Sequence, residues 1–319
     1  QIYEYERTSD SFREINYKLA YPGNNNSKFM MEDPQGRLYI TSELSGVHIY
    51  DPASGVVKLI DKTAGGLNTN NIRAQSLYVS PYEIWIGTDG GGLNIFNPFT
   101  QSMQFLMVDT RNTYSLASNA IIKMSTDRDN NIWIGHYGSG ISVWKRNREK
   151  FESYTHSPFN PASINKEVVS ALYEDSRGRI WVGQDGGGLC LFDETTKSFE
   201  HIRMETGKAG SLTSDVILAI HEDPEGNLLL GTYMGGLMVF DPETRKVIKS
   251  FNATNGLSSD LIWTIFKDSR ERYWLSAYRA GFSLYDPVAG TFENYTELTE
   301  GLKACSNVIL NINEDPDGR

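Results

Sequence analysis

The chain of 319 residues carries 30 Lys and Arg against 40 Asp and Glu, a formal net charge of −10. That balance argues against the phosphate backbone of nucleic acid, or an anionic membrane surface, as a partner, since either calls for a basic face. With 39% hydrophobic and 12% aromatic residues the chain is globular rather than disordered, and no apolar run reaches the roughly 18 residues of a membrane-spanning helix.

The first residues, Gln1-Ile2-Tyr3-Glu4-Tyr5-Glu6, read as strand and not as a signal peptide, so the chain reads as a piece of something longer. Beyond them one pattern recurs six times. It is clearest at Ile84–Pro98, Ile-Trp-Ile-Gly-Thr-Asp-Gly-Gly-Gly-Leu-Asn-Ile-Phe-Asn-Pro, and its other copies begin at Leu38, Ile132, Ile180, Leu228 and Tyr273. Ile-Trp-Ile is a short β-branched and aromatic run, the glycines suit a tight turn, and Leu93, Ile95 and Phe96 rebuild an apolar run that Asn97-Pro98 ends. The stretch therefore predicts a β-hairpin. One hairpin cannot bury its own apolar face, but a series of them can.

Aligned on Tyr39, Trp85, Trp133, Trp181, Leu229 and Trp274, the copies are spaced 46, 48, 48, 48 and 45 residues apart. Twelve residues after each anchor stands Asp51, Asn97, Lys145, Asp193, Asp241 or Asp286, and six further on an apolar residue, Val57, Met103, Phe151, Phe199, Val247 or Phe292. Six before the anchor stands Asp33, Asp127, Asp175, Asp223 or Asp268; the second copy departs, with Val79 and a Ser80-Pro81 turn. Offsets this constant fix strand register, because a one-residue slip inverts every strand face. Each unit then holds four strands, A to D, the spacing of a β-propeller blade. A β-solenoid has shorter repeats, and a sandwich does not repeat in sequence.

The whole chain is expected to be one all-β propeller domain, 1–319, of four-stranded antiparallel blades at 18–60, 61–107, 108–154, 155–202, 203–251 and 252–297. Residues 1–17 look like strands C and D of a half blade, and residues 298–319 like the strand A of another, at Asn307–Asp315. Joining the two would close a seventh blade and leave no free sheet edge. The strand B and glycine turn of that blade are missing, about eight residues by the repeat spacing. The expectation is a seven-bladed ring, with half blades of two different rings as the other possibility.

The pattern Asp-x-x-Gly-x-Ile-Trp-Ile-Gly-Thr-x-Gly-Gly-Gly-Leu-x-x-Phe-Asp, best seen from Asp175 to Asp193 with Gln184 in place of Thr, resembles the two-component-regulator propeller repeat. The resemblance covers essentially the whole chain, although copies one, five and six drift at Leu44-Ser45-Gly46, Met234-Gly235-Gly236 and Arg279-Ala280-Gly281. It implies a periplasmic sensor region of a hybrid two-component histidine kinase of Bacteroidetes, part of an inner-membrane protein. It further implies an adjacent propeller and a β-sandwich domain, a homodimer in the full sensor, and an oligosaccharide as stimulus. The fragment itself is expected to be a non-catalytic sensor or scaffold. The alternatives are a propeller enzyme, such as a polysaccharide lyase or glycosidase, and a protein-interaction platform.

Several motifs have simpler readings. Gly90-Gly91-Gly92 and Gly186-Gly187-Gly188 are followed by strand, whereas a phosphate loop opens a helix. Asp127–Asn131 lacks the distal Glu of a calcium loop and falls at the A–B turn of its blade. The five histidines show no metal-ligand spacing, Cys190 and Cys305 form no C-x-x-C pair, and there is no G-x-S-x-G elbow. No catalytic residue, metal or cofactor is expected. The anchor tryptophans read as core, while Trp263 and Trp144 are off that register and Trp263 is expected near the channel.

In a propeller the B–C turns and D–A loops emerge on one face, at the channel mouth. There the copies differ most. The candidate ligand-binding residues are Glu43, Asp89, His136, Tyr137, Asp185, Tyr233, Tyr278 and Arg279, on the B–C turns. Tyrosine rings can cover the C–H faces of a sugar while carboxylates and an Arg take its hydroxyls. The D–A residues Asn70, Asn71, Ser118, Asn119, Asn165, Lys166, Ser214, Asp215, Ser259 and Asp260 stand beside them, and residues of these types also cap backbone in loops.

Overall fold

The computed structural model describes residues 2–6, 11–15, 27–63, 66–74, 76–112, 114–146, 150–296 and 308–314. They form an all-β propeller fold of six four-stranded antiparallel blades, at 27–60, 77–106, 121–154, 169–202, 217–251 and 262–295. In every blade the hydrogen-bonded order follows the chain, A-B-C-D. Blade 4 shows the pattern, with A at Val169–Glu174, B at Ile180–Gln184, C at Gly188–Asp193 and D at Ser198–Ile202.

The expected seventh blade is not formed. The N-terminal strands Ile2–Glu6 and Ser11–Ile15 make a two-stranded sheet of their own, with Tyr5 opposite Phe12, and residues 308–314 contain no strand. The physical reason is the ladder itself. Strands A and C of a blade bond to each other only through strand B, and no described segment supplies one here. Residues 308–314 instead cover blade 6. Ile309 and Ile312 pack on the Phe282–Tyr295 cluster, as Trp274 does, and the Glu314 carboxylate accepts the backbone N–H (2.6 Å) and hydroxyl (2.7 Å) of Ser269. Glu222 of blade 5 holds Ser176 of blade 4 in the same way, at 2.7 Å for both bonds.

The blades fall into two compact units. Residues 16–169 contain blades 1 to 3; residues 1–15 and 170–319 contain blades 4 to 6, apart from Val169. Within each unit the core lies between neighbouring blades. Strands B are buried almost throughout, as in Leu228–Thr232, whereas outer strands such as Lys246–Phe251 are largely exposed. Trp181 of blade 4 meets Phe240 of blade 5 edge-on at 5.9 Å, and Trp85 of blade 2 meets Trp144 of blade 3 likewise. The anchors Trp85, Trp133 and Trp181 are buried and Trp274 is half-buried. Each such burial is worth about 2–3 kcal/mol. Trp263 is the more exposed one, in the β-bulge that opens strand A of blade 6.

The glycine that ends Ile-Trp-Val-Gly in blade 4 serves packing rather than the turn. A Cβ on Gly183 would lie 2.9 Å from Ala171 Cβ and 2.9 Å from Ile217 Cγ2 of blade 5, so the missing side chain lets two blades approach.

The Asp six residues before the anchor is the hub of the A–B turn. Asp175 Oδ1 accepts the backbone N–H groups of Arg177 (3.0 Å) and Arg179 (2.9 Å). Its Oδ2 accepts Arg179 Nε (2.6 Å) and Trp181 Nε1 (2.8 Å). Asp127 and Asp268 hold Trp133 and Trp274 at 2.8 and 2.9 Å. Blade 2 has no such Asp, and Trp85 Nε1 turns to Glu83 instead, at 3.4 Å.

Burial alone would raise the Asp175 carboxyl. The Trp181 hydrogen bond, the Arg179 backbone N–H and the Arg179 guanidinium outweigh it and hold the group below its ordinary value. A depressed carboxylate contributes stability in full above its unfolded pKa, near ~4, and loses it as pH falls through the folded value. Asp175→Ala should cost about 3 kcal/mol at about pH 7, because it leaves buried donors without an acceptor. In urea titrations the gap between the variant and the parent should narrow at about pH 3.

Candidate functional site

The strongest constraint on the B–C turns comes from the loop that enters each following blade. An Asn or Asp in that loop acts twice. In unit 170–319, Asp215 Oδ1 accepts the Met204 N–H (2.7 Å) at the end of strand D, and the Asp215 carbonyl accepts the N–H of the turn residue Gly188 (2.8 Å). Asp260 repeats this with Ala253 (2.6 Å) and Gly236 (2.8 Å). In unit 16–169, Asn119 does so with Val108 (2.8 Å) and Gly92 (2.9 Å). Ser118, Ser214 and Ser259 accept the N–H two residues on. These polar loop residues are thus occupied with backbone. A Cβ on Gly92, Gly140, Gly236 or Gly281 would strike the carbonyl oxygen of Leu106, Tyr154, Phe251 or Tyr295, so the last turn glycine is sterically required.

The residue four after the anchor takes one structural position in all six blades: Glu43, Asp89, Tyr137, Asp185, Tyr233 and Tyr278. Its N–H donates to a carbonyl of the loop before strand A of its own blade in four of them. These bonds are Asp89 to Asn71 (2.8 Å), Tyr137 to Ala120 (2.9 Å), Tyr233 to Val216 (3.1 Å) and Tyr278 to Leu261 (3.2 Å). The backbone is held and the side chain is left outside. Tyr137 is 56% exposed, Tyr233 51% and Tyr278 37%.

Each unit arranges these residues differently. In unit 16–169, Arg73 joins two of the acids, its Nε lying 3.6 Å from Glu43 and 3.1 Å from Asp89, and Asn71 adds a bond to Asp89 (3.1 Å). Arg73 was not singled out in the sequence; it stands two residues after Asn71, where blades 3, 5 and 6 carry Ile122, Leu218 and Trp263. In unit 170–319, Asp185 is exposed, and Arg279 stacks on Tyr278 with its guanidinium carbon 5.4 Å from the ring centre.

His136 lies elsewhere. It is the last residue of its strand B, fully buried, at the position of Ser42, Thr88, Gln184, Thr232 and Ala277. Its Nε2 lies 2.9 Å from Ser142 Oγ, which also accepts the Ala117 N–H (3.0 Å). Thr88 and Thr232 hydroxyls bond inside their turns to Gly92 and Gly236 carbonyls, each at 2.8 Å, and the Cys190 thiol donates to Gln184 Oε1 (3.1 Å). This interior position therefore holds the B–C hairpin. Cys305 lies outside the described residues. Among the described residues no three His, Cys, Asp or Glu side chains converge as a metal site would require.

Comparison with known proteins bears on this geometry. The family model described as the two component regulator propeller matches residues 115–138, 163–186 and 211–234. Each match runs from the serine before a buried Leu116, Ile164 or Leu212 to the B–C turn, so the chain carries this repeat. No curated protein matches the sequence. Among solved structures, one described as the extracellular domain of the hybrid two-component system BT3049 from B. thetaiotaomicron is 22% identical with a TM-score of 0.77. The alignment covers 93% of this chain and 38% of that one, so this chain spans well under half of it. Virginiamycin B lyase from Staphylococcus aureus is 10% identical with a TM-score of 0.63, over 88% of this chain and 87% of that one. The designed protein Ika8 is 14% identical with a TM-score of 0.60, over 92% and 81%. At these identities the likeness is one of fold.

Burial holds His136 neutral, its pKa pushed down to about 4 although the Ala120 and Ser118 carbonyls pull the other way. A histidine depressed in this way stabilises the fold fully above its unfolded pKa near ~6.5, and the contribution is lost as pH falls from there to about 4. His136→Gln copies the residue of blade 4. It should remove roughly 1–3 kcal/mol of the stability lost over that window in denaturant titrations, with little change at about pH 8.

Proposed function

We propose that this chain is a non-catalytic, extracytoplasmic sensor propeller of a two-component signalling protein, and that its B–C turns take glycan-derived oligosaccharides. The carrying observation is the regulator repeat, with tyrosine or carboxylate at one B–C turn position in every blade, its backbone held in four of them. The likeness to a structure described as an extracellular two-component domain supports the placement outside the cytoplasm, in the periplasm. In this reading the parent is an inner-membrane histidine kinase, with a second propeller and a β-sandwich domain beside this one, working as a homodimer.

The tyrosines suit the face of a pyranose. An aromatic ring covers its C–H groups, and polar neighbours take its hydroxyls. Signalling then needs no chemistry on the ligand. Blades held by buried tryptophans and loop-to-turn bonds are stiff, so bound sugar shifts the balance between two arrangements of this domain and its neighbours. The shift can be no larger than the difference in affinity for the two.

Calorimetric titration of the chain with a panel of plant and host glycan fragments, with product analysis of the same mixtures, tests this. Saturable binding without cleavage is expected. Tyr233→Ala and Tyr278→Ala should each weaken it by about 1 kcal/mol, roughly fivefold. Release of shorter or unsaturated sugars would mark a lyase or glycosidase. Absence of any binding across the panel would leave an interaction platform.

A further inference from the structure

Three B–C turns break a rule that their sisters keep. At the second turn position Gly90, Gly138 and Gly186 have φ of +96°, +77° and +78°, whereas Leu44, Met234 and Arg279 occupy the same left-handed region at +74°, +60° and +59°. A side chain there is strained, and bulky residues rarely accept it. None of the three side chains is used inside the fold: Leu44 is 71% and Met234 66% exposed, and Arg279 is exposed as well.

Two of these residues belong together. Asp260 and Leu261 are consecutive, and they hold both turns of blades 5 and 6. The Asp260 carbonyl accepts Gly236 N–H (2.8 Å), and the Leu261 carbonyl accepts Tyr278 N–H (3.2 Å). The turns that carry Tyr233-Met234 and Tyr278-Arg279 are therefore tied to one loop. The guanidinium of Arg279 also differs from most others in its unit: Arg177, Arg179, Arg203, Arg245 and Arg272 meet carboxylates, whereas among the described residues Arg270 and Arg279 do not. Arg279 lies on the Tyr278 ring, and among the described residues no carboxylate pairs with it. A guanidinium stacked on a ring keeps the N–H groups of its edge for a planar acceptor, and a carboxylate fits that fork with two bonds.

We infer that the Tyr233–Met234–Tyr278–Arg279 surface binds a uronate, the carboxylate-bearing unit of an acidic oligosaccharide. The Arg279 edge takes the carboxylate, and the exposed Tyr233 ring takes the C–H face of the sugar. This rests on the oligosaccharide reading above and narrows it to one chemical class.

The test uses the whole chain and three sets of probes: oligogalacturonate and alginate fragments, the methyl esters of the same fragments, and neutral oligosaccharides. Calorimetry should show an acidic fragment binding roughly tenfold or more tightly than its ester, and losing affinity as salt is raised. Arg279→Gly installs the residue of three sister turns and relieves the left-handed strain, so its Tm should not fall below that of the parent. In that variant the acid should bind no better than the ester. Arg279→Lys keeps the charge without the fork and should fall between. Equal binding of acid and ester, or an acid preference that survives Arg279→Gly, overturns this inference. So does the absence of binding by every acidic probe. Neutral fragments that bind in either of those cases keep the oligosaccharide reading standing alone.

Discussion

The tie that the rest of this structure depends on is a backbone hydrogen bond between blades. A loop carbonyl leading into one blade accepts the N–H of a glycine turn in the blade before it, as Asp260 does for Gly236 and Asp215 for Gly188. A Cβ on Gly236 would strike the Phe251 carbonyl at the end of strand D, so the turn that makes this bond needs glycine there. Once it is made, the loop side chain is free to close the end of strand D. One short segment thereby ties together the end of strand D, the turn of that same blade and the start of the next blade. The buried Leu67, Leu116, Ile164, Leu212 and Leu257 sit in the same segment and give the tie an apolar seat.

This explains why polar residues on the same loops and turns have different fates. Asn119, Asp215 and Asp260 look free in the sequence, yet backbone donors occupy them. His136 and Gln184 sit one residue before the turn and face inward, where the hairpin uses their polar atoms. The next residue alternates outward, as any strand must, and in four blades its own N–H is already bonded. The result is a rigid backbone with an uncommitted side chain, the arrangement that lets a repeat vary in recognition without disturbing its sheets. Arg73 shows the limit of that freedom, since it couples Glu43 to Asp89 and removes two acids from the uncommitted set.

Stiffness is supplied at the opposite end of strand B. There an Asp carboxylate takes the indole N–H of the anchor and the amides of its own turn, and the indole in turn supports cations from two blades. Arg179 of blade 4 and Arg245 of blade 5 both lie 5.5 Å from the Trp181 ring centre. Arg245 also meets Glu200 at 2.9 Å, so the contact between blades has an apolar core and a charged rim.

The all-β class, the four-stranded antiparallel blades and the burial of Trp85, Trp133 and Trp181 were legible in the sequence. A repeat of constant offset leaves one register, and a strand apolar at each residue must be covered on both faces. Four things needed the tertiary structure. The number of blades was one, because a half blade counts only if a strand B bridges it, and bridging is a long-range pairing that local pattern does not encode. The role of Gly183 was another, since the side chain it excludes belongs to Ile217 in the next blade. Arg73 was another, because it reaches the turns of two blades, and so was the stacking of Arg279 on Tyr278, which the repeat does not specify. Local periodicity determined what each strand is; contacts between blades and across their loops decided which side chains remain available.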